Sequence, residues 1–206
     1  MLFRSLSKDL IIEILDTHKG LVVLDEAYME YVPKDESFVS FIDRYENLAI
    51  LRTMSKAWGL AALRVGFIVA GPKLIEYFGK FQIPYTVSMH SQILADYVLR
   101  HRRPQMEAAV ASTIEDRDWV EEELANIPGI RVYKSHANFC LFAVENGLDM
   151  ENKLFSDHKI LVKYFPLPRV GDCIRLSISV DRKKLEDVLA AIAAIQAAKN
   201  APSKAI

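Results

Sequence analysis

Two short segments carry the residues with the most chemical potential. Thr53-Met54-Ser55-Lys56 sets an amine beside two hydroxyls, and Arg64 follows in an otherwise apolar run. Upstream, Leu21-Val22-Val23-Leu24 ends in Asp25, with Tyr28 soon after. A lysine amine condenses with an aldehyde only when deprotonated, which calls for partial burial or nearby cations. A carboxylate at a strand end can pair with a pyridine nitrogen, keep it protonated and make the ring an electron sink. Tyr28 can donate to a phenolate oxygen if the strand end turns helical and brings it to the same side as Asp25. Thr53 and Ser55 alternate with Met54, so in an extended segment their hydroxyls share one face. With backbone N–H groups and the Arg64 guanidinium, those hydroxyls make a phosphate cradle.

Each of these residues also has a plainer use. Ser55-Lys56 can be a helix cap with a solvated charge, Asp25 an N-cap, and Tyr28 a core ring. Arg64 stands between Leu63 and Val65, where an unpaired charge would be costly, so a buried anion partner is expected: a ligand phosphate, or an internal Asp or Glu. Taken together, the set suits an aldehyde that bears a phosphate and a pyridine ring, which is pyridoxal 5'-phosphate. Nothing in the sequence calls for a metal. Near the other end, Cys173-Ile174-Arg175-Leu176-Ser177-Ile178-Ser179 alternates, placing Cys173, Arg175, Ser177 and Ser179 on one face. If that face looks across a cleft, Arg175 can clamp a substrate carboxylate; if it looks to water, Arg175 is an ordinary solvated residue.

The elements that must position these groups follow from periodicity. Residues 6–17 carry Leu10, Ile11, Ile14 and Leu15 at helical spacing after Ser7, an N-cap, with His18-Lys19-Gly20 as a basic last turn and glycine stop. The apolar runs 21–24, 48–51 and 65–71 read as parallel strands covered on both faces. Asp25 and 53–56 then occupy carboxyl ends of strands, where ligands collect in α/β layers. Helices are expected over 72–81 and from 88 through 124, interrupted at Arg103-Pro104, with Glu121, Glu122 and Glu123 on a solvated face. Beyond come strands at 130–134, 139–144, 160–164 and 173–180, and helices at 150–158 and 185–198. The fold class is α/β, with a mixed, mostly parallel sheet in 1–100 followed by a small α+β domain in 101–206.

The chain has 206 residues, half of them hydrophobic, and can bury a core. Lys plus Arg number 26 against 27 Asp plus Glu, which argues against a general attraction to nucleic acid or anionic membrane. Cys140 and Cys173 lie far apart in apolar runs and read as buried thiols. No apolar run reaches the roughly 18 to 20 residues of a bilayer span and no signal peptide is read, so the cytoplasm is the default compartment.

These residues resemble the class I/II, fold-type I pyridoxal-phosphate aminotransferases, and within them the histidinol-phosphate aminotransferases. Val23 to Tyr28 resembles the family's V-D-E-A-Y strand end, and Thr53 to Ala57 with Leu63 to Phe67 its lysine motif. Pro84-Tyr85-Thr86-Val87-Ser88 resembles P-Y-N-V-S, and Ala137-Asn138-Phe139 and Ile174 to Ile178 the small-domain segments. The resemblance implies that Lys56 carries the cofactor and shuttles a proton. It implies that Asp25 pairs the ring nitrogen, that Tyr28 meets the phenolic oxygen, and that Thr53, Ser55 and Arg64 hold the phosphate. Arg175, Asn138 and Tyr85 would bind substrate. The implied reaction moves an amino group from a small-molecule donor to a 2-oxo acid, in a homodimer.

Thr86 stands where the family has Asn, and Ser179-Val180 where it has Gly-Thr, so the chemistry is better marked than the substrate. Threonine-phosphate decarboxylases share the lysine motif. The family is nearly twice this length and the chain resembles its later half, so a truncated polypeptide with impaired turnover is expected. A non-catalytic remnant or ligand-binding module is the alternative.

Overall fold

The computed structural model describes residues 6–168, 170–178 and 181–200. They fall into two compact units, 6–110 and 111–200.

In the first unit, helix α1 (Lys8–Thr17) is capped by Ser7, whose hydroxyl accepts from the Leu10 N–H, and it buries Leu15. It ends because His18 turns extended, not through a basic last turn or a left-handed glycine at Gly20. Strands β1 (Val22–Asp25), β2 (Leu48–Thr53) and β3 (Gly66–Ala70) form one sheet in that order. The sheet is mixed. β1 runs parallel to β2, whereas β3 runs antiparallel to β2, which corrects the expectation of a third parallel strand. The difference arises in the 53–65 segment, which reverses the chain beside β2 instead of crossing over: Met54 N–H donates to the Val65 carbonyl at 3.1 Å. Burial on both faces holds only for Leu48, Ala49 and Ile50 of β2; Val23, Phe67 and Ile68 are exposed. Helix α2 (Pro72–Gly79) starts with Pro72 at its first turn, where the missing N–H costs nothing. Helix α3 (Met89–His101) is capped by Ser88. Helix α4 (Arg103–Ala125) restarts after Arg102 and continues into the second unit.

The second unit packs α5 (Gly147–His158) and α6 (Arg182–Asn200), with the later turns of α4, around a four-stranded antiparallel sheet. Its strands β4 (Ile130–Tyr133), β5 (Phe139–Val144), β6 (Lys163–Leu167) and β7 (Gly171–Ser177) lie in the order β4-β5-β7-β6. Phe142, Leu124, Met150, Leu154, Ile174, Leu185 and Ile192 are fully buried, each contributing about 1.5–3 kcal/mol of burial. Cys140 and Cys173 are buried free thiols, as expected. Strand β6 begins later than the expected 160–164. Lys159 adopts a left-handed turn, and Ile160 donates back to the Leu154 carbonyl, so Ile160 and Val162 pack on the core without joining the ladder. Glu121 is a further correction: it is 7% exposed, while Glu122 and Glu123 face solvent. No helix among the described residues is long and apolar enough to cross a membrane.

Candidate active site

The side chains singled out in the first unit gather at the ends of β1 and β2 and in the turn that follows. Asp25 closes β1 opposite Leu51, and Thr53 closes β2 opposite Gly66, so the two residues stand at neighbouring strand ends. After Thr53 the chain bends instead of staying extended, because the Thr53 hydroxyl accepts the Ser55 N–H at 3.0 Å. Met54 still alternates with them: it is fully buried with Val65 and Ala95, while Thr53 and Ser55 are half-buried. Leu60 N–H donates to the Met54 carbonyl and Gly59 N–H to the Lys56 carbonyl, with Gly59 in a left-handed conformation. Lys56 thus rides on a turn pinned from beneath by a buried methionine. Its ammonium nitrogen sits 5.3 Å from the centroid of the Tyr28 ring, and the residue is half-buried.

Tyr28 reaches this place because the chain after β1 leaves the sheet through a turn. Asp25 Oδ1 accepts the Ala27 N–H at 3.0 Å, and Tyr28 precedes a short 3-10 turn, Met29–Tyr31. Asp25 therefore also performs its plainer role of capping the turn. Arg64 departs from expectation. It is exposed and adopts φ 56°, and its guanidinium donates to the Ala61 carbonyl at 3.0 Å, so its charge lies at the end of a turn and not in an apolar interior. Tyr85 is also left-handed, at φ 63°, and fully exposed.

In the second unit, Arg175 is half-buried on β7, with its guanidinium carbon 5.4 Å from the Phe139 ring centroid and 5.8 Å from that of Phe165. Those two rings give it apolar flanks, an intermediate state between the cleft and open-water alternatives. Asn138 precedes β5, is half-buried, and accepts the Ile178 N–H on its carbonyl at 2.9 Å. Ser179, expected on the Arg175 face, lies outside the described residues.

The family model for aminotransferase class I and II matches residues 6–192. The chain belongs to this family. Among curated class I and II aminotransferases, it is 40% identical over 155 residues to the histidinol-phosphate aminotransferase of Caldanaerobacter subterraneus, covering 75% of this chain and 43% of that protein. It is 34% identical over 177 residues to the one from Chlorobaculum tepidum, covering 86% and 50%. The chain spans about half the length of the curated relatives it matches. Among solved structures, the histidinol-phosphate aminotransferase of Clostridium acetobutylicum superposes with a TM-score of 0.85 at 26% identity, covering 94% of this chain and 60% of that one. The L-threonine-O-3-phosphate decarboxylase of Porphyromonas gingivalis shares the fold, with a TM-score of 0.80 at 18% identity over 93% and 60%.

Sequence reasoning passed over Glu26 and Arg52. Glu26 is 7% exposed; its carboxylate accepts the Phe38 N–H at 2.8 Å and the Ser37 hydroxyl at 2.9 Å, and it pairs with the Arg52 guanidinium at 2.9 Å. Arg52 also reaches Glu30 at 3.2 Å. The signal was available: Glu26 follows Asp25 and Arg52 precedes Thr53, so strand alternation puts this pair on the face opposite the candidate site.

Proposed function

We propose that the chain bears the cofactor lysine of a pyridoxal-phosphate-dependent transamination between a small amino donor and a 2-oxo acid, with histidinol phosphate as the favoured amino substrate. The observation that carries this reading is Lys56 itself, half-buried over Tyr28 on a pinned turn beside the ends of β1 and β2. The donor set fits the cofactor in kind: one amine, one carboxylate at Asp25, one phenol at Tyr28, hydroxyls at Thr53 and Ser55, and a cation at Arg64 in solvent reach. When bound, pyridoxal phosphate supplies an aldehyde that condenses with amines and a ring that withdraws electrons.

The residues of this chain would take the following parts. Asp25 would hold a proton on the ring nitrogen by charge-assisted hydrogen bonding. Tyr28 would donate toward the phenolic oxygen. Thr53, Ser55 and Arg64 would hold the phosphate, and Lys56 Nζ would move the proton at the substrate Cα. By the resemblance, Arg175, Asn138 and Tyr85 would be the residues that bind substrate, with Arg175 suited to a carboxylate. On this reading 1–100 belong to the cofactor-binding domain and 101–206 to the small domain, in a cytoplasmic homodimer.

Incubation with pyridoxal phosphate followed by borohydride should fix a pyridoxyl group on the Lys56 tryptic peptide, and Lys56→Ala should abolish that adduct. Labelling spread over surface lysines, with none at Lys56, overturns the reading. A second reading, a ligand-binding module without turnover, is favoured by the local bonds of Asp25 to Ala27 and Arg64 to Ala61. It predicts cofactor binding with no exchange of amino groups between added amino and 2-oxo acids.

A further inference from the structure

We infer that Arg52 is a positioning residue that sets Tyr28 against Lys56, acting from the opposite face of the sheet through Glu26 and Glu30; this rests on the functional reading above. Tyr28 stands midway between two glutamates, and both are tied to one guanidinium. Arg52 Nη2 meets Glu26 at 2.9 Å and the Ser37 hydroxyl at 3.0 Å, while Nη1 meets Glu30 at 3.2 Å. Glu26 is in turn fixed by Phe38 N–H and the Ser37 hydroxyl, so the segment leaving β1 is anchored on both sides of Tyr28.

Arg52 is itself a rung of β2, opposite Phe67 and next to Thr53. The guanidinium therefore references the Tyr28 segment to the same strand that launches the Lys56 turn. A planar fork with several donors can hold two carboxylates in fixed directions, which a lysine ammonium on a flexible stem does less well. Two carboxylates on one cation also leave the cluster dependent on it: without Arg52, Glu26 remains nearly buried with a charge and loses its counter-ion.

The test uses the full chain. Nuclear Overhauser contacts between the Lys56 ε-methylene and the Tyr28 ring should be present in the parent and lost in Arg52→Met. They should fall by about half or more in Glu30→Gln, which removes one arm and leaves the buried Glu26 pair intact; Arg52→Lys should restore them only in part. In parallel, the half-saturating concentration of pyridoxal phosphate for adduct formation at Lys56 should rise at least about tenfold in Arg52→Met. Thermal melts identify variants that fail to fold, and Glu30→Gln decides the matter if Arg52→Met is one of them. Unchanged Lys56–Tyr28 contacts in folded Glu30→Gln overturn the inference. Contacts that change as described, in a parent that forms no Lys56 adduct, uphold the positioning role and overturn the functional reading instead.

Discussion

Among single residues, Asp118 shows how opposing effects are resolved by magnitude. Burial pushes its carboxyl pKa up, but hydrogen bonds from Lys134 at 2.7 Å and Arg117 at 2.9 Å, with their charges, outweigh that and hold it below the usual 3.8. Lys134 moves the other way. Burial lowers its pKa, and bonds to Asp118 and Glu121 raise it overall. For Asp118 the folded pKa lies below the unfolded one, so its stabilising effect is complete above about pH 5 and is lost as pH falls through the folded value. For Lys134 the folded pKa is raised, so its effect is complete below the unfolded value and lost as pH rises through the folded one. Comparing urea midpoints of the parent and Asp118→Asn should show a gap at neutral pH that closes in acid. A gap that stays the same from neutral pH down to the lowest pH at which both proteins fold means that Asp118 acts through packing, not charge. Glu121, which faces the same lysine, gains its place through a neutral neighbour as well as a charged one: its carboxylate accepts the buried Ser135 N–H at 2.8 Å.

That bond makes helix α4 a clamp on the loop between β4 and β5. Glu121 holds Ser135 and Arg117 donates to the Ala137 carbonyl at 3.3 Å, fixing the backbone just before Asn138. Glu121→Ala should cost about 1–3 kcal/mol in denaturant unfolding, since it strands a buried N–H, while Glu122→Ala on the exposed face should stay within about 0.5 kcal/mol. Equal effects for the two would refute the clamp. The helix was legible in the sequence, with its interruption at Arg103-Pro104, because periodicity over a long segment is a strong signal. Which glutamate faces inward was not, since three adjacent glutamates look alike until the β4–β5 loop supplies an N–H for one of them. Strand β5 was legible as a continuous apolar run, whereas β6 was displaced because Ile160 and Val162 satisfy the core without pairing. At the candidate site, Asp25, Thr53 and Lys56 could be placed from strand ends alone. Arg64 could not: its left-handed backbone is unusual for an arginine and invisible in residue type.

On the scale of the whole molecule, the two units differ in how far their sheets are enclosed. In 111–200 the central strands β5 and β7 each have ladder partners on both sides and lie on one continuous core that includes Phe142, Ile174 and Leu176. In 6–110 only β2 is central, the buried side chains form two smaller clusters, and Val23, Leu51, Phe67 and Ile68 leave apolar surface on the sheet exposed. Amide exchange reports opening free energies, which rise with buried apolar contacts and with ladder bonds shielded from water. The slowest amides should therefore belong to β5 and β7, those of β2 should follow, and those of β1 and β3 should exchange sooner. Mass spectrometry of deuterium uptake in the unliganded chain can rank these peptides. If β1 and β3 prove as slow as β5 and β7, their exposed faces are covered in solution by something that buries Val23 and Phe67, and the difference in enclosure argued for the two sheets does not hold.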